Sequence, residues 1–259
     1  MKLLIRIAYD GTAYCGWQFQ PNASTVQKQI TSAAKKIFGF DCDVTGCSRT
    51  DSGVHARGFC ATVAKKGESS IECQIPLEKL PRAFNAHLPE DIAVLEAKAV
   101  ADDFHARYSV VSKTYVYRLY VGKERSPFER HASLHVTARL ADGYTERMNE
   151  AAARFVGTHD FTSFMAQGSK IEDATRTVLS ASVTASPSDP DILLFTVEAD
   201  GFLYNMVRIM TGTLLEVAEG KLSPDDIDGI IAAKDRRRAG RTVPPQGLCL
   251  ECVNYSTGI

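Results

Sequence analysis

Residues 41–65, DCDVTGCSRTDSGVHARGFCATVAK, decide how the N-terminal part of this 259-residue chain is interpreted. Polar and apolar residues alternate in segments 41–47 and 58–65, which predicts two strands. The loop between them, Ser48 to Arg57, contains a carboxylate, hydroxyl groups, guanidinium groups and a glycine. Loops supported by a rigid sheet commonly carry functional groups. Taken alone, however, Asp51-Ser52-Gly53 is also a common turn sequence.

Outward from this stretch, hydrophobic periodicity predicts the other elements. Further strands are predicted at residues 2–10, 92–100, 113–121, 176–185, 191–199 and 248–255. A helix is predicted to begin at the capping-box sequence Ser24–Gln27 and to end at Gly39. Other helices are predicted at about residues 77–87, 142–156, 205–219 and 224–234, the last with Ser223 as its N-cap.

The order of these elements predicts the fold class. Strands are numerous and helices are interspersed, which favours α+β over a parallel doubly wound sheet. The same kinds of element recur after residue 106. We therefore expect two domains, residues 1–106 and residues 107–259.

Composition narrows the class of protein. Hydrophobic residues make up 44% of the chain and charged residues 24%, which is ordinary for a globular protein. No apolar stretch is long enough to span a bilayer. Arg6 and Asp10 interrupt the apolar N-terminus, which predicts a strand rather than a signal peptide. We expect a cytoplasmic protein whose seven cysteines are reduced.

Charge gives no support for nucleic-acid binding by the chain as a whole. The formal net charge is −1, so RNA binding requires a local basic patch or the pairing of two subunits. Candidate phosphate contacts are Arg107, Arg118, Lys123, Arg125, Arg130, Arg236, Arg237, Arg238 and Arg241. Segment 236–238 is equally typical of an exposed helix end.

Several motifs together resemble the TruA-type tRNA pseudouridine synthases. The loop sequence Arg49-Thr50-Asp51 is similar to the motif that carries the nucleophile in that family. The other similar segments, in chain order, are residues 9–18 (YDGTAYCGWQ), 104–117 (FHARYSVVSKTYVY), 159–164 (HDFTSF), 205–212 (NMVRIMTG), 232–236 (AAKDR) and 244–248 (PPQGL). One departure is Ser48, where the family usually has glycine.

The resemblance implies an isomerase that converts uridine to pseudouridine at positions 38–40 in the anticodon stem-loop of tRNA. It implies no metal and no organic cofactor. It also implies a homodimer that holds tRNA jointly. The implied fold has two similar α/β subdomains with joined, mainly antiparallel sheets, flanking helices and an active-site cleft between them.

The resemblance also assigns roles to individual residues. Asp51 is the implied nucleophile, which breaks the N1–C1′ bond by attack at either C1′ of the sugar or C6 of the uracil. Arg208 is the implied basic partner that keeps a carboxylate ionised. Tyr115 is the implied aromatic that stacks on the uracil. Arg49 is implied to displace the target nucleotide, and Arg107 is a candidate contact to the substrate.

Alternatives remain open for these residues and for the chain. Tyr115 and Tyr117 are two apart and also fit the buried face of a strand. A non-catalytic RNA-binding protein and a nucleoside or glycoside hydrolase are alternative functions. Cys249 and Cys252 lie in a predicted strand, where an offset of three places the side chains on opposite faces. A zinc site there is therefore disfavoured.

Overall fold

This computed structural model describes residues 1–168 and 171–256. The chain divides into two compact units. Unit 1 contains Met1–Val111 and the segment that starts at Leu250, and unit 2 contains Ser112–Cys249. The elements up to residue 100 are β1 (Lys2–Tyr9), α1 (Val26–Phe38), β2 (Cys42–Gly46), β3 (His55–Lys65), α2 (Leu80–Asn85) and β4 (Ile92–Val100). The predicted division into residues 1–106 and 107–259 stays a prediction.

The later elements follow in the same alternation of strands and helices. They are β5 (Val110–Tyr120), β6 (Leu134–His135), α3 (Tyr144–Ala153), β7 (Gly157–Asp160), β8 (Thr175–Ser186), β9 (Asp189–Ala199), α4 (Met206–Ala218), α5 (Asp226–Ala233) and β10 (Leu248–Tyr255). No helix in the described part of the chain is long and apolar enough to cross a membrane.

The strands of unit 1 lie in the order β4-β1-β3-β10, and β2 pairs with β3. The pairings of β1 with β3 and β4, and of β2 with β3, are antiparallel. Leu3, Ile5 and Ile7 alternate along β1 and are completely buried, so this face of the strand lies in the core. Because β2 and β3 are antiparallel and consecutive, they form a hairpin. We call the connection between them, which carries Asp51, the site-bearing loop.

The strands of unit 2 lie in the order β5-β9-β8-β7. These pairings include antiparallel ladders between β5 and β9, β8 and β9, and β7 and β8, whereas the short β6 pairs parallel with β5. Helix α4 is buried along most of its length, including Ile209, Met210 and Leu214. The predicted α+β class with mainly antiparallel strands is confirmed.

Several local predictions were wrong in detail, among them those for the loop after β2, for α2 and for α5. The site-bearing loop ends at Val54 rather than Arg57, because His55 already begins β3 and Ala56 pairs with Tyr9. The helix predicted at 77–87 is a 3₁₀ turn followed by α2, which tolerates Pro81 in its first turn. Helix α5 starts at Asp226 rather than Pro224, because the N–H groups of Asp226 and Ile227 donate to the carbonyls of Ser223 and Pro224 and so form a tighter turn before the helix.

Candidate active-site residues

Asp51 lies in the loop between β2 and β3, where neighbouring residues differ sharply in exposure. Thr50 is buried, with 7% of its surface exposed, whereas Arg49 is exposed to solvent. Asp51 is half-buried. Thr50 therefore anchors the loop, and the two charged side chains of the Arg-Thr-Asp sequence flank that anchor.

Residues at the start of the chain hold Thr50 on both its side chain and its backbone. The hydroxyl of Tyr9, at the end of β1, lies 2.8 Å from the hydroxyl of Thr50 in a buried contact. The backbone N–H of Trp17 donates to the carbonyl oxygen of Thr50 at 3.2 Å. This contact stabilises the fold, because leaving a polar group unsatisfied in the interior costs about 1–3 kcal/mol. The loop is thus fixed one residue before Asp51.

Two glycines allow the opening segment to approach the loop closely. A Cβ on Gly16 would lie 2.3 Å from the carbonyl oxygen of Thr50, and Gly16 has a φ of +80°. A Cβ on Gly11 would lie 2.0 Å from the carbonyl oxygen of Val54. Both distances are far too short for a side chain. The glycines of the opening motif are therefore explained by their packing against the site-bearing loop.

The Asp51-Ser52-Gly53 segment is a turn held by Tyr14. The N–H of Val54 donates to the carbonyl of Asp51 at 3.1 Å, which closes the turn, and Gly53 has a φ of +78°. The N–H of Gly53 and the hydroxyl of Ser52 both donate to the carbonyl of Tyr14. The turn reading of this sequence is therefore correct, and the turn also orients the backbone of Asp51.

His55 fastens the other end of the loop. Its Nδ1 accepts a hydrogen bond from the N–H of Gly11 at 3.1 Å, and the Oδ1 of Asp10 lies at the same distance from Nδ1. Only a protonated Nδ1 could donate to Asp10. The N–H of Gly11 can only donate, so Nδ1 is the acceptor of that bond, while the Asp10 oxygen accepts from the N–H and hydroxyl of Thr12. This arrangement gives His55 a structural role.

Ser48, which stands where the family pattern usually has glycine, does not need the backbone conformation that favours glycine. Within the described ranges, Asn205 and Lys234 are the non-glycine residues with positive φ. Ser48 is thus outside the left-handed region that favours glycine. The hydroxyl of Ser48 lies 3.8 Å from the thiol of Cys47, which is completely buried.

Arg107 belongs to unit 1 but is remote in sequence from this loop. It is exposed, and its guanidinium carbon lies 5.7 Å from the ring centroid of Tyr108. The Nδ1 of His105 accepts from the backbone N–H groups of Arg107 and Tyr108 at 3.1 and 3.3 Å. The side chain of His105 therefore orders the turn that carries Arg107.

Tyr115 lies on β5 in unit 2, on the buried face of the strand. Only 7% of its surface is exposed, and its ring packs edge-on against Phe202 with centroids 5.0 Å apart. Tyr117 shares this face and is completely buried, and its hydroxyl donates to the carbonyl of Pro244 at 2.7 Å. Burial raises the pKa of Tyr117. Both tyrosines are therefore packed strand residues, whatever further role Tyr115 has.

Arg208 is positioned by two contacts near the start of α4. Its Nη1 donates to Oδ1 of Asn205 at 2.6 Å, and its Nε donates to the carbonyl of Val243 at 2.8 Å. Arg208 is half-buried, and its neighbours Val207 and Ile209 are buried. Asn205 has a φ of +60° and precedes the helix. The guanidinium is thus fixed on two of its donor edges.

A close crossing of backbones places Val243 beside Arg208. A Cβ on Gly212 of α4 would lie 1.8 Å from the carbonyl oxygen of Arg241. The N–H of Gly240 donates to the hydroxyl of Thr213 at 2.9 Å, a buried contact. Gly212 therefore lets the segment before Val243 lie directly on α4. Sequence reasoning identified the glycine only as part of a family motif.

The other family-like segments of unit 2 have structural contacts. The Asp160 carboxylate accepts from the N–H and hydroxyl of Thr162 and pairs with Lys234 at 2.9 Å. The hydrogen bonds from Thr162 and the pairing with Lys234 hold the pKa of Asp160 below its usual range. Ser163 donates to the carbonyl of Ile230 and accepts from the N–H of Asp235. These bonds tie the segment after β7 to the end of α5.

The basic segment 236–238 forms a 3₁₀ turn that is partly engaged internally. Arg237 pairs with Asp235 at 2.8 Å. Arg236 donates to the carbonyl of Ala239 and the hydroxyl of Thr242, both at 3.1 Å. These contacts engage both of the first two arginines, although the side chain of Arg237 stays 84% exposed.

The predicted site residues are therefore distributed between the two units. Asp51 and Arg49 share one loop of unit 1, and Arg107 lies in a separate turn of the same unit. Tyr115 and Arg208 belong to unit 2. Among the described residues, no group of three or more His, Cys, Asp or Glu side chains is placed to hold a metal ion.

Sequence reasoning missed the residues that support the site. Tyr9, Thr50 and Asn205 were recognised only as members of motifs, and Val243 was not singled out. Their contacts join segments up to 41 residues apart, as for Tyr9 and Thr50. The available signal was indirect: Gly11 follows closely after Tyr9, and the apolar residues Met206 and Val207 follow Asn205, which predicts close packing there.

The chain is similar to known proteins over nearly its whole length. The family model described as tRNA pseudouridine synthase matches residues 5–109 and 151–256. The tRNA pseudouridine synthase A of Clostridium acetobutylicum is 42% identical over 251 residues, covering 97% of this chain and 98% of that protein. The tRNA pseudouridine synthase A of Moorella thermoacetica is 45% identical over 255 residues, covering 98% and 99%. The chain belongs to the tRNA pseudouridine synthase family.

Proposed function

We propose that this protein isomerises uridine to pseudouridine at positions 38–40 in the anticodon stem-loop of tRNA, with Asp51 as the nucleophile. The observation that carries the proposal is the Arg-Thr-Asp loop itself. Its central threonine is anchored in the core by Tyr9 while Asp51 stays half-buried and Arg49 is exposed. A nucleophile needs such a fixed backbone because small displacements of a reacting group are costly in rate.

The reaction requires Asp51 to form and later release a covalent bond. The carboxylate attacks the target nucleotide, the N1–C1′ bond breaks, and the uracil turns and rejoins the sugar through C5. The C5 hydrogen then leaves as a proton. Because the leaving group stays bound, no water has to be activated, and a second carboxylate of the glycosidase kind is not needed.

Arg208 and Tyr115 are the proposed supporting groups. A guanidinium lowers the pKa of a neighbouring carboxylate, and Arg208 is a rigid donor because Asn205 and Val243 fix it. Tyr115 is the proposed stacking partner of the uracil, and its packing against Phe202 holds its ring in one orientation. Stacking on an aromatic ring is a common way to hold an unstacked RNA base.

Arg49 and Arg107 are the proposed contacts to the RNA outside the target base. Arg49 is exposed beside Asp51, where a planar cation can replace the extruded nucleotide and recover part of the lost stacking. Arg107 is exposed and supported by its own turn, which suits a phosphate contact. The proposal includes a homodimer acting in the cytoplasm, since two near-neutral chains together can form a basic surface that one chain lacks.

The position of modification is tested with an unmodified tRNA transcript that carries uridines at 38, 39 and 40. Carbodiimide-reactive pseudouridines are mapped by primer-extension stops, and matched transcripts with cytidine at each position are the controls. We expect stops at one or more of the three uridines, with loss of the stop in the matching cytidine transcript. Stops elsewhere, or free uracil in the supernatant, would refute the proposal.

A further inference from the structure

A cavity of about 530 Å³ lies within unit 2, and its lining residues do not include Tyr115 or Arg208. The loop that joins β5 to β6 forms much of its wall, and residues on the two strands and Gln246 complete it. Tyr120 and His135 pair across the parallel ladder, and their rings lie 5.3 Å apart at an angle of 48°. The volume falls within the range of about 300–1,000 Å³ that is typical of small-ligand sites.

The aromatic part of the cavity is held in place. His135 donates from Nε2 to the carbonyl oxygen of Gly122 at 2.9 Å, which fixes its ring. Tyr120 packs directly over Gly122, where an added Cβ would lie 2.3 Å from the tyrosine hydroxyl. Two ordered rings at one wall provide a surface for stacking a planar group.

The charged part of the cavity has an excess of positive charge. Arg125 and Arg130 both line it, and neither forms an ion pair with any residue in the described part of the chain. The carboxylate of Glu129, which also lines the cavity, is paired with Arg118 at 3.3 Å. Arg130 is oriented by a bond from Nη1 to the carbonyl of Pro127 at 2.6 Å. The charges of Arg125 and Arg130 therefore remain available to an anion.

We infer that this cavity binds one nucleotide of the RNA, with its base against Tyr120 and His135 and its phosphate on Arg125 and Arg130. Aromatic rings take bases, guanidinium groups take phosphates, and Ser126 and Gln246 supply hydrogen-bonding groups at the same walls. The inference rests on the proposed function, because RNA is taken as the source of the nucleotide.

This nucleotide is separate from the target uridine. Side chains of a strand alternate between its faces, so Tyr120 and Tyr115, five residues apart on β5, point to opposite faces. The loop beside the cavity also carries Phe128, whose side chain is 93% exposed. An exposed aromatic at the rim adds contact area for a polynucleotide, whereas a free nucleotide inside the cavity would not need it.

The test measures binding of labelled unmodified tRNA by fluorescence anisotropy. The salt concentration is varied from about 50 to about 300 mM, because phosphate contacts weaken strongly over this range. Arg125→Gln and Arg130→Gln are compared with Arg139→Gln, which removes an exposed arginine of the same unit outside the cavity. We expect each cavity variant to weaken binding about tenfold and to lower the salt slope by about one. The Arg139→Gln control should stay within about twofold of the wild type.

A second variant tests the stacking wall. Tyr120→Leu should weaken tRNA binding by about 5- to 100-fold, as expected from the loss of one base stack. Circular dichroism melts of all variants establish that they are folded. Wild-type affinity in Arg125→Gln, Arg130→Gln and Tyr120→Leu would overturn the inference.

Parallel measurements test two other occupants of the cavity, a free nucleotide and a second copy of the chain. Free uridine and adenosine monophosphates are titrated by calorimetry, and binding as tight as that of tRNA would assign the cavity to a free nucleotide. Sedimentation of the variants is compared with the wild type, and an altered oligomeric state with unchanged tRNA affinity would assign it to a second copy of the chain. If wild-type protein forms pseudouridine while the cavity variants bind tRNA normally, the inference fails and the proposed function stands.

Discussion

The hydroxyl groups of Tyr9 and Thr50 lie 2.8 Å apart in the interior of unit 1, and Thr50 immediately precedes Asp51. This contact links the end of β1 to the loop that carries the proposed nucleophile. The support for Asp51 therefore comes from a residue 41 positions earlier in the chain.

The hydroxyl groups of Tyr9 and Thr50 should be energetically coupled. Thr50→Val removes their buried contact and should lower the free energy of unfolding by about 1–3 kcal/mol. Tyr9→Phe should then cost less in the Thr50→Val background than in the wild type, because the contact is already lost there. Urea unfolding of both single variants and the double variant gives the coupling energy. Strictly additive losses would show that the two hydroxyls do not interact.

The close approach of Gly16 to the loop should matter more than its positive φ. Gly16→Ala places a Cβ 2.3 Å from the carbonyl oxygen of Thr50 and must displace the loop. Gly39→Ala is the matched control, because Gly39 has nearly the same φ, +77°, with no atom within 4 Å of the added Cβ in the described structure.

The control should lose about 1 kcal/mol of stability from backbone strain alone and keep its turnover. Gly16→Ala should lose more stability and at least about tenfold in kcat, as expected for a displaced reacting group. Thermal unfolding and steady-state kinetics measure both quantities. Equal behaviour of the two variants would mean that the contact with Thr50 is unimportant.

The orientation of Arg208 should depend on the side chain of Asn205. Asn205→Gly keeps the positive φ that this position requires but removes the acceptor at 2.6 Å from Nη1. We expect kcat to fall about tenfold, with KM and the unfolding midpoint changed little, because one of the contacts that fix Arg208 is lost. Asn205→Asp is the companion variant, since it retains an oxygen acceptor and should retain more activity. A lower melting temperature with unchanged kcat would assign Asn205 to folding alone.

The Asp160 contacts predict a pH-dependent contribution to stability. The pKa of Asp160 is held below its ordinary value near 3.8, chiefly by the Thr162 hydroxyl and then by Lys234. A depressed carboxyl pKa contributes stability that is complete above the unfolded pKa and is lost as pH falls through the folded pKa. The difference in unfolding free energy between wild type and Asp160→Asn should thus be constant near neutrality and shrink below about pH 4. Urea titrations at a series of pH values measure it, and a difference that grows in acid would contradict the assignment.

Local patterns predicted the elements well where one face of a strand or helix is buried. Strands β4 and β10 match the predicted residues 92–100 and 248–255, because alternation and flanking turns define both ends. Helix α1 ends at Gly39 as predicted, with Gly39 in the left-handed region. Its N-cap is Thr25 rather than Ser24, because Gln27 holds the backbone of Phe19 and Val44 instead of closing a capping box.

The candidate site was predictable as a set of residue types but not as a set of contacts. The Arg-Thr-Asp loop and the choice of Arg208 as the basic partner followed from the family resemblance. The contacts of Val243 with Arg208 and of Tyr9 with Thr50 did not, because each depends on tertiary packing between segments distant in sequence. A single sequence contains no direct record of such pairs.

The central claim is that Asp51 is the nucleophile of uridine isomerisation, and tritium release tests it most directly. Formation of the new bond at C5 expels the C5 hydrogen, so tRNA labelled with tritium at C5 of uridine releases tritium to water on each turnover. Wild-type protein should release tritium, whereas Asp51→Asn should bind tRNA normally and release it at least about 10⁴-fold more slowly. Release by Asp51→Asn at a rate near that of the wild type would contradict the account.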